Sequence, residues 1–116
     1  MFSYLIDPAK FVLWMGIGAQ LDPRRGGSYR IDVDGEHFAT GEYIEVDPPR
    51  RLVFSWGWEG KSDVAPGLTS VEIELEADGQ GTILRLRHSG LPNETERASQ
   101  GAGWTLYMGK LAVVVA

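Results

Sequence analysis

In several segments between Gly27 and His88 apolar side chains recur at every second residue, and beyond Asn93 they recur at every third or fourth. The first period sends alternate side chains to opposite faces of a strand; the second lines them along one side of a helix. A chain of this kind builds several strands and then covers them with a terminal helix. That sets aside a helical bundle. The alternation is cleanest from Thr69 to Ala77, where Val71, Ile73 and Leu75 face inward and Glu72, Glu74 and Glu76 outward. Asp78-Gly79-Gln80-Gly81 turns the chain, and Thr82, Leu84, Leu86 and His88 then share a face opposite Ile83, Arg85 and Arg87. Arginines across from glutamates set the register of such a hairpin, at about 0.2–1 kcal/mol per pair.

Upstream, Tyr29, Ile31 and Val33 alternate with polar neighbours, and Asp34-Gly35 marks a hairpin. His37 to Val46 reads as the next strand, its inward face left open by Gly41 and a mixed pattern. A proline corner, Asp47-Pro48-Pro49, launches a further strand with Leu52, Phe54, Trp56 and Trp58 on one face. Glu59 to Gly67 reads as a polar loop. Before the strands, Asp7-Pro8 is an N-cap followed by a first helical residue, with Phe11, Trp14 and Met15 on one side until Gly16 and Gly18. Gly16-Ile17-Gly18 lacks the third glycine of a dinucleotide loop, and no strand pattern precedes it. After Gly90-Leu91-Pro92, Asn93 with Glu96 forms a capping box, and the helix carries Trp104, Met108, Leu111 and Val115 on one stripe. Gly101 and Gly103 thin that helix where another surface or a ligand can approach.

At 116 residues the chain is one domain with one core. A net charge of −5 argues against a nucleic-acid surface, and Arg24-Arg25 and Arg50-Arg51 are solvated turn pairs too short to reverse it. The absence of cysteine removes disulfides, thiolate catalysis and cysteine-ligated metals. Without a leader pattern or an apolar run long enough for a bilayer, a cytoplasmic location is the default and no membrane partner is expected.

Several motifs stand in order along nearly the whole chain: Ile6-Asp7-Pro8, Trp14, Arg24 to Tyr29, Gly41-Glu42-Tyr43, Pro48 to Trp58, Gly81-Thr82, His88 to Pro92 and Gly103-Trp104-Thr105. Together they resemble the activator of Hsp90 ATPase homologue 1-like branch of the START/Bet v 1 (SRPBCC) helix-grip superfamily. The resemblance implies an α+β fold, with a curved antiparallel sheet wrapped around a long C-terminal helix, two short helices near the N-terminus and a cavity between sheet and helix. Relatives usually open with a strand of about ten residues ahead of the first helix, and that strand has no counterpart here. Residues 1–116 therefore read as a single domain shortened at its N-terminus. An exposed strand edge would follow, and with it a tendency to homodimerise.

The large flat residues exceed what a small sheet and one helix need for a core, and rigid aromatics that interdigitate poorly line hollows. Trp14, Tyr43, Phe54, Trp56, Trp58, Trp104, Met108 and Leu111 are the candidate cavity residues, with His88 at its mouth. The plainer readings stand beside them: an aromatic core, and a histidine satisfied by backbone at a strand end. The expected function is a small cytoplasmic module that holds a hydrophobic or aromatic small molecule. A protein-interaction domain of the Hsp90 co-chaperone, stress-response kind is the alternative. Hsp90 stimulation belongs to members with an additional N-terminal domain, so it transfers poorly. A polyketide cyclase- or dehydratase-like enzyme is the second alternative. Against it, Ser55, Ser70 and Ser89 lack nucleophile contexts, and Glu42 serves only if it points inward. No catalytic residue and no cofactor is nominated. His37 and His88 are too far apart in sequence, and too short of paired carboxylates, to suggest a metal.

Overall fold

Asp7 ends one short helix and starts the next. In the computed structural model, which describes residues 1–60 and 64–115, α1 spans Ser3–Ile6 and α2 spans Pro8–Phe11. The Asp7 carboxylate accepts a hydrogen bond from the Ala9 N–H at 2.9 Å, and Pro8 fills the first helical position, where an N–H would have no partner. Phe11, Trp14 and Met15 are buried as their spacing predicts. The Trp14 indole N–H donates to the Tyr4 carbonyl at 2.8 Å and ties the turn after α2 back to α1.

Gly16 then takes φ +79°, and a Cβ there would lie 2.7 Å from the Asp32 carbonyl oxygen. The backbone turns directly into β1, Gly18–Leu21, which pairs antiparallel with β2, Ser28–Asp32. The sequence pattern gave no strand at 18–21, so β1 is a correction. Gly-Ala-Gln-Leu has no alternation, and pairing with β2 decides its conformation. The remaining strands are β3 Phe38–Asp47, β4 Arg51–Trp58, β5 Thr69–Asp78 and β6 Gly81–Ser89, and the sheet runs β1-β2-β3-β4-β5-β6 as an antiparallel meander. The six strands and the final helix α3, Glu94–Val115, give the α+β helix-grip arrangement expected.

The face of β3 is settled by a close crossing. Gly41 lies so near β4 that a Cβ would sit 2.1 Å from the Ser55 carbonyl oxygen. That carbonyl accepts the Tyr29 hydroxyl, and the Ser55 hydroxyl accepts the Glu42 N–H at 2.9 Å. Glu42 is consequently exposed and Tyr43 buried. The register shifts between Tyr43 and Glu45, a bulge that adds local twist. Tyr29→Phe removes only the hydroxyl of this lock and should cost about 1 kcal/mol in denaturant unfolding.

In β4, Leu52, Phe54 and Trp56 are buried and Trp58 half-buried, but Val53 on the opposite face is also buried. The segment after β4 departs from a simple polar loop. Val64 is fully buried, its carbonyl accepts the Trp58 N–H at 2.7 Å, and Gly57 approaches the Ala65 carbonyl too closely for any side chain. Residues 61–63 of that loop lie outside the described residues. Glu72 pairs with Arg87 and Glu74 with Arg85 across the β5–β6 hairpin, the register the alternation predicts. Arg51 also gathers the carboxylates of Glu45, Glu72 and Glu74. Asn93 caps α3 by accepting the Glu96 N–H at 2.9 Å. Trp104 and Leu111 are buried, with Met108, Val115, Tyr107 and Val114 partly buried against the core.

Candidate functional site

Packing between the sheet, the N-terminal helices and α3 leaves two spaces. The inner one is walled by Leu5, Phe11 and Trp14 from the first turns, by Leu21, Tyr29, Ile31, Tyr43, Leu52, Phe54, Trp56 and Ile73 from the five successive strands β1 to β5, and by Trp104 from α3. Its volume is about 20 Å³, room for about one water. The aromatic rings therefore fill most of the hollow. The outer space lies beneath the first half of α3, with a volume of about 260 Å³, bounded by Met15, Trp56, Trp58, Glu96, Ser99, Gln100, Gly103, Trp104 and Tyr107. Trp56 and Trp104 belong to both walls, their ring centroids 5.2 Å apart at 56°. These two indoles form the partition.

A chain of hydrogen bonds holds that partition. Trp104 can only donate, so its Nε1–H gives a hydrogen bond to His88 Nδ1 at 3.0 Å. The Thr69 hydroxyl donates to the Trp56 carbonyl at 2.8 Å and accepts from His88 Nε2–H at 2.8 Å. His88 is thus fixed as the neutral imidazole protonated on Nε2. Burial of the ring lowers its pKa to about 4, because the charged form loses hydration that nothing here replaces. A proton on Nδ1 would also point at the Trp104 N–H. The relay links α3, β6, β5 and β4 through side chains that the sequence left as separate residues.

Trp56 contrasts with its neighbours. It is 1% exposed, and its Nε1 is the buried side-chain nitrogen or oxygen left without a partner among the described residues. An unmet buried donor costs about 1–3 kcal/mol.

Of the nine candidate residues, Trp14, Tyr43, Phe54, Trp56 and Trp104 meet at the inner space, and Trp58 joins Trp56 and Trp104 at the outer one. His88 sits behind Trp104, bonded to it, and lines neither space. Met108 and Leu111 pack further along α3, outside both linings. Tyr29 and Ile31 were legible as an inward strand face, yet their place in the wall required knowing that Leu5, Phe11 and Trp14 line the same space. Leu21 belongs to the strand the pattern did not mark. Glu42 is remote from both spaces, and His37 is exposed and bonded to Asp34 at 2.8 Å.

An antiparallel sheet gripping a terminal helix, with an aromatic partition between two spaces, defines a helix-grip protein. The chain belongs to the activator of Hsp90 ATPase homolog 1-like family, whose model matches residues 1–116. Among solved structures, an AHSA1-like protein of Rhizobium etli is 45% identical with a TM-score of 0.72, the match covering 95% of this chain and 69% of that one. CalU16 of Micromonospora echinospora is 31% identical with a TM-score of 0.77, covering 99% of this chain and 66% of that one. DynU16, from the dynemicin biosynthetic locus, is 28% identical with a TM-score of 0.85, covering 98% of this chain and 41% of that one. The chain thus spans less than two thirds of the last two proteins. No protein with a curated description matches it.

Proposed function

We propose that this domain is a small cytoplasmic binding module that holds an apolar, aromatic small molecule between the sheet and α3. The observation that carries the reading is the Trp56–Trp104 partition, which separates a nearly filled aromatic interior from an outer space beneath the helix. A ligand that shifts Trp104 outward merges the two and exchanges ring–ring contact for ring–ligand contact. The supporting helix is poorly anchored for its length: of the 22 residues in α3, Trp104 and Leu111 are the buried ones. Burying about 200 Å² of apolar ligand surface contributes about 5 kcal/mol, and association costs consume much of it. Micromolar affinity follows.

Titrating the protein with flat aromatic compounds and fatty acids should give a saturable change in tryptophan emission with at least one class. Gly103→Leu is the informative control. A Cβ at Gly103 meets nothing within 4 Å, and leucine raises helix propensity, so the variant folds while its side chain fills the outer space. Binding should weaken at least tenfold. A broad panel with no saturable response overturns the reading.

The enzyme alternative draws less support. Both His88 nitrogens are engaged and Glu42 faces solvent, so neither of the two groups singled out for proton transfer is placed to exchange a proton with a bound molecule. Self-association is a second reading, favoured by β6, a nine-residue edge strand with Ile83 exposed. Light scattering at micromolar concentration tests it, and a monomer rejects it.

A further inference from the structure

We propose that the ligand is a neutral molecule carrying a hydrogen-bond acceptor, and that the Trp56 indole N–H is the donor that orients it; this rests on the binding reading above. Among the described residues the buried polar side-chain atoms around the partition are otherwise matched. Trp14 donates to Tyr4, Trp104 to His88, His88 to Thr69, Thr69 to the Trp56 carbonyl, and Tyr29 to Ser55. Trp56 Nε1 alone among the described residues is buried without an acceptor, and native interiors rarely leave such a group unmet.

A single water is a poor remedy. The inner space holds about one, but buried waters typically make about three hydrogen bonds, and this one would find a single unmet group in an apolar wall. An acceptor on a larger apolar molecule suffers no such deficit, because the rest of the molecule is repaid by contact with aromatic rings.

The acceptor is uncharged. Among the described residues no lysine or arginine lines either space, and the carboxylate on the outer wall is that of Glu96. A carboxylate or phosphate entering there would lose its hydration without gaining a counter-ion. Ketone, quinone and ether oxygens meet the requirement, and fatty-acid carboxylates do not.

Calorimetric titration of the wild-type protein with three probes tests this: indane, indanone, and indane carboxylate. Indanone is expected to bind about tenfold tighter than indane, the worth of one recovered hydrogen bond, and the carboxylate weakest of the three. In Trp56→Phe the preference for indanone over indane should shrink to about twofold or less, whatever happens to absolute affinity. Nitrogen–proton correlation spectra of the wild type give a readout that does not depend on that variant folding. One buried indole proton should move downfield with indanone and not with indane, while the Trp14 indole, bonded to the Tyr4 carbonyl, moves little. Equal affinities for indane and indanone overturn the donor role while leaving the binding module intact. A preference that persists in Trp56→Phe, or an unmoved indole proton, does the same. Binding by none of the three overturns the neutral-acceptor proposal, while the binding module stands or falls on the broad panel above, and tightest binding by the carboxylate overturns the neutral class.

Discussion

Replacing Trp104 with alanine should lower the unfolding free energy by about 3–5 kcal/mol, out of the roughly 5–15 kcal/mol a domain of this size possesses. Two separable losses make up the effect. The ring is 7% exposed and packs 5.2 Å from Trp56 and 6.2 Å from His88, centroid to centroid, so its removal opens a cavity that rigid aromatics cannot collapse into. Its N–H is the donor for His88 Nδ1, so removal also strands a half-buried acceptor. Trp104→Phe separates the two by keeping most of the ring and deleting the donor, and should cost about 1–2 kcal/mol. Urea midpoints for the three proteins, read by far-ultraviolet circular dichroism, check both numbers. An unchanged midpoint for Trp104→Ala would remove this residue from the core and leave α3 held chiefly by Leu111.

Periodicity made the sheet and the last helix legible because both obey one local rule over many residues. From Thr69 to His88 each glutamate and arginine falls on its expected face, and the Trp104-to-Val115 stripe turns toward the core as spaced. What escaped was set by approaches between segments distant in sequence. Gly41 is required by the Ser55 carbonyl, and Gly57 by Ala65. Neither contact leaves a mark in its own neighbourhood. β1 is a strand because β2 is beside it. Val64 is core because its loop folds back onto β4. The site divides the same way. Aromatic excess was visible in the sequence, but how nearly those rings fill their own hollow depends on tilt and distance, which composition does not encode. His88 was legible as a polar residue on an apolar face. Its exchange of bonds with Trp104 and Thr69 was not, because the three lie 16 and 19 residues apart and meet only through the turn into α3 and the β5–β6 pairing.

That relay makes stability depend on acidity in a specific window. His88 has a folded pKa of about 4, below the 6.5 or so of an unfolded histidine. Above pH 6.5 neither state carries the proton, and the full contribution is present. As pH falls below 6.5 the unfolded chain binds a proton that the folded one refuses, so stability drops until about pH 4, where the folded ring protonates as well. With allowance for the ring's partial exposure, the loss across the window is about 2 kcal/mol. Exposed carboxylates whose pKa values are lowered, Glu59 by Arg30 and Asp34 by the Glu36 and His37 backbone and the His37 ring, act in the same direction but mainly below pH 4.5. They set the lower limit of a clean measurement. His88→Gln supplies the control, since an amide can accept from Trp104 and donate to Thr69 without titrating. Thermal midpoints measured from pH 7 to pH 4.5 should decline for the wild type and stay nearly level for His88→Gln. Parallel declines in the two proteins would show that His88 does not govern the window. A decline confined to the wild type, together with rising exposure of Trp104 to a fluorescence quencher, would identify the protonated ring as the group that loosens α3 from the sheet: Nδ1–H then faces the Trp104 N–H, and neither can accept from the other.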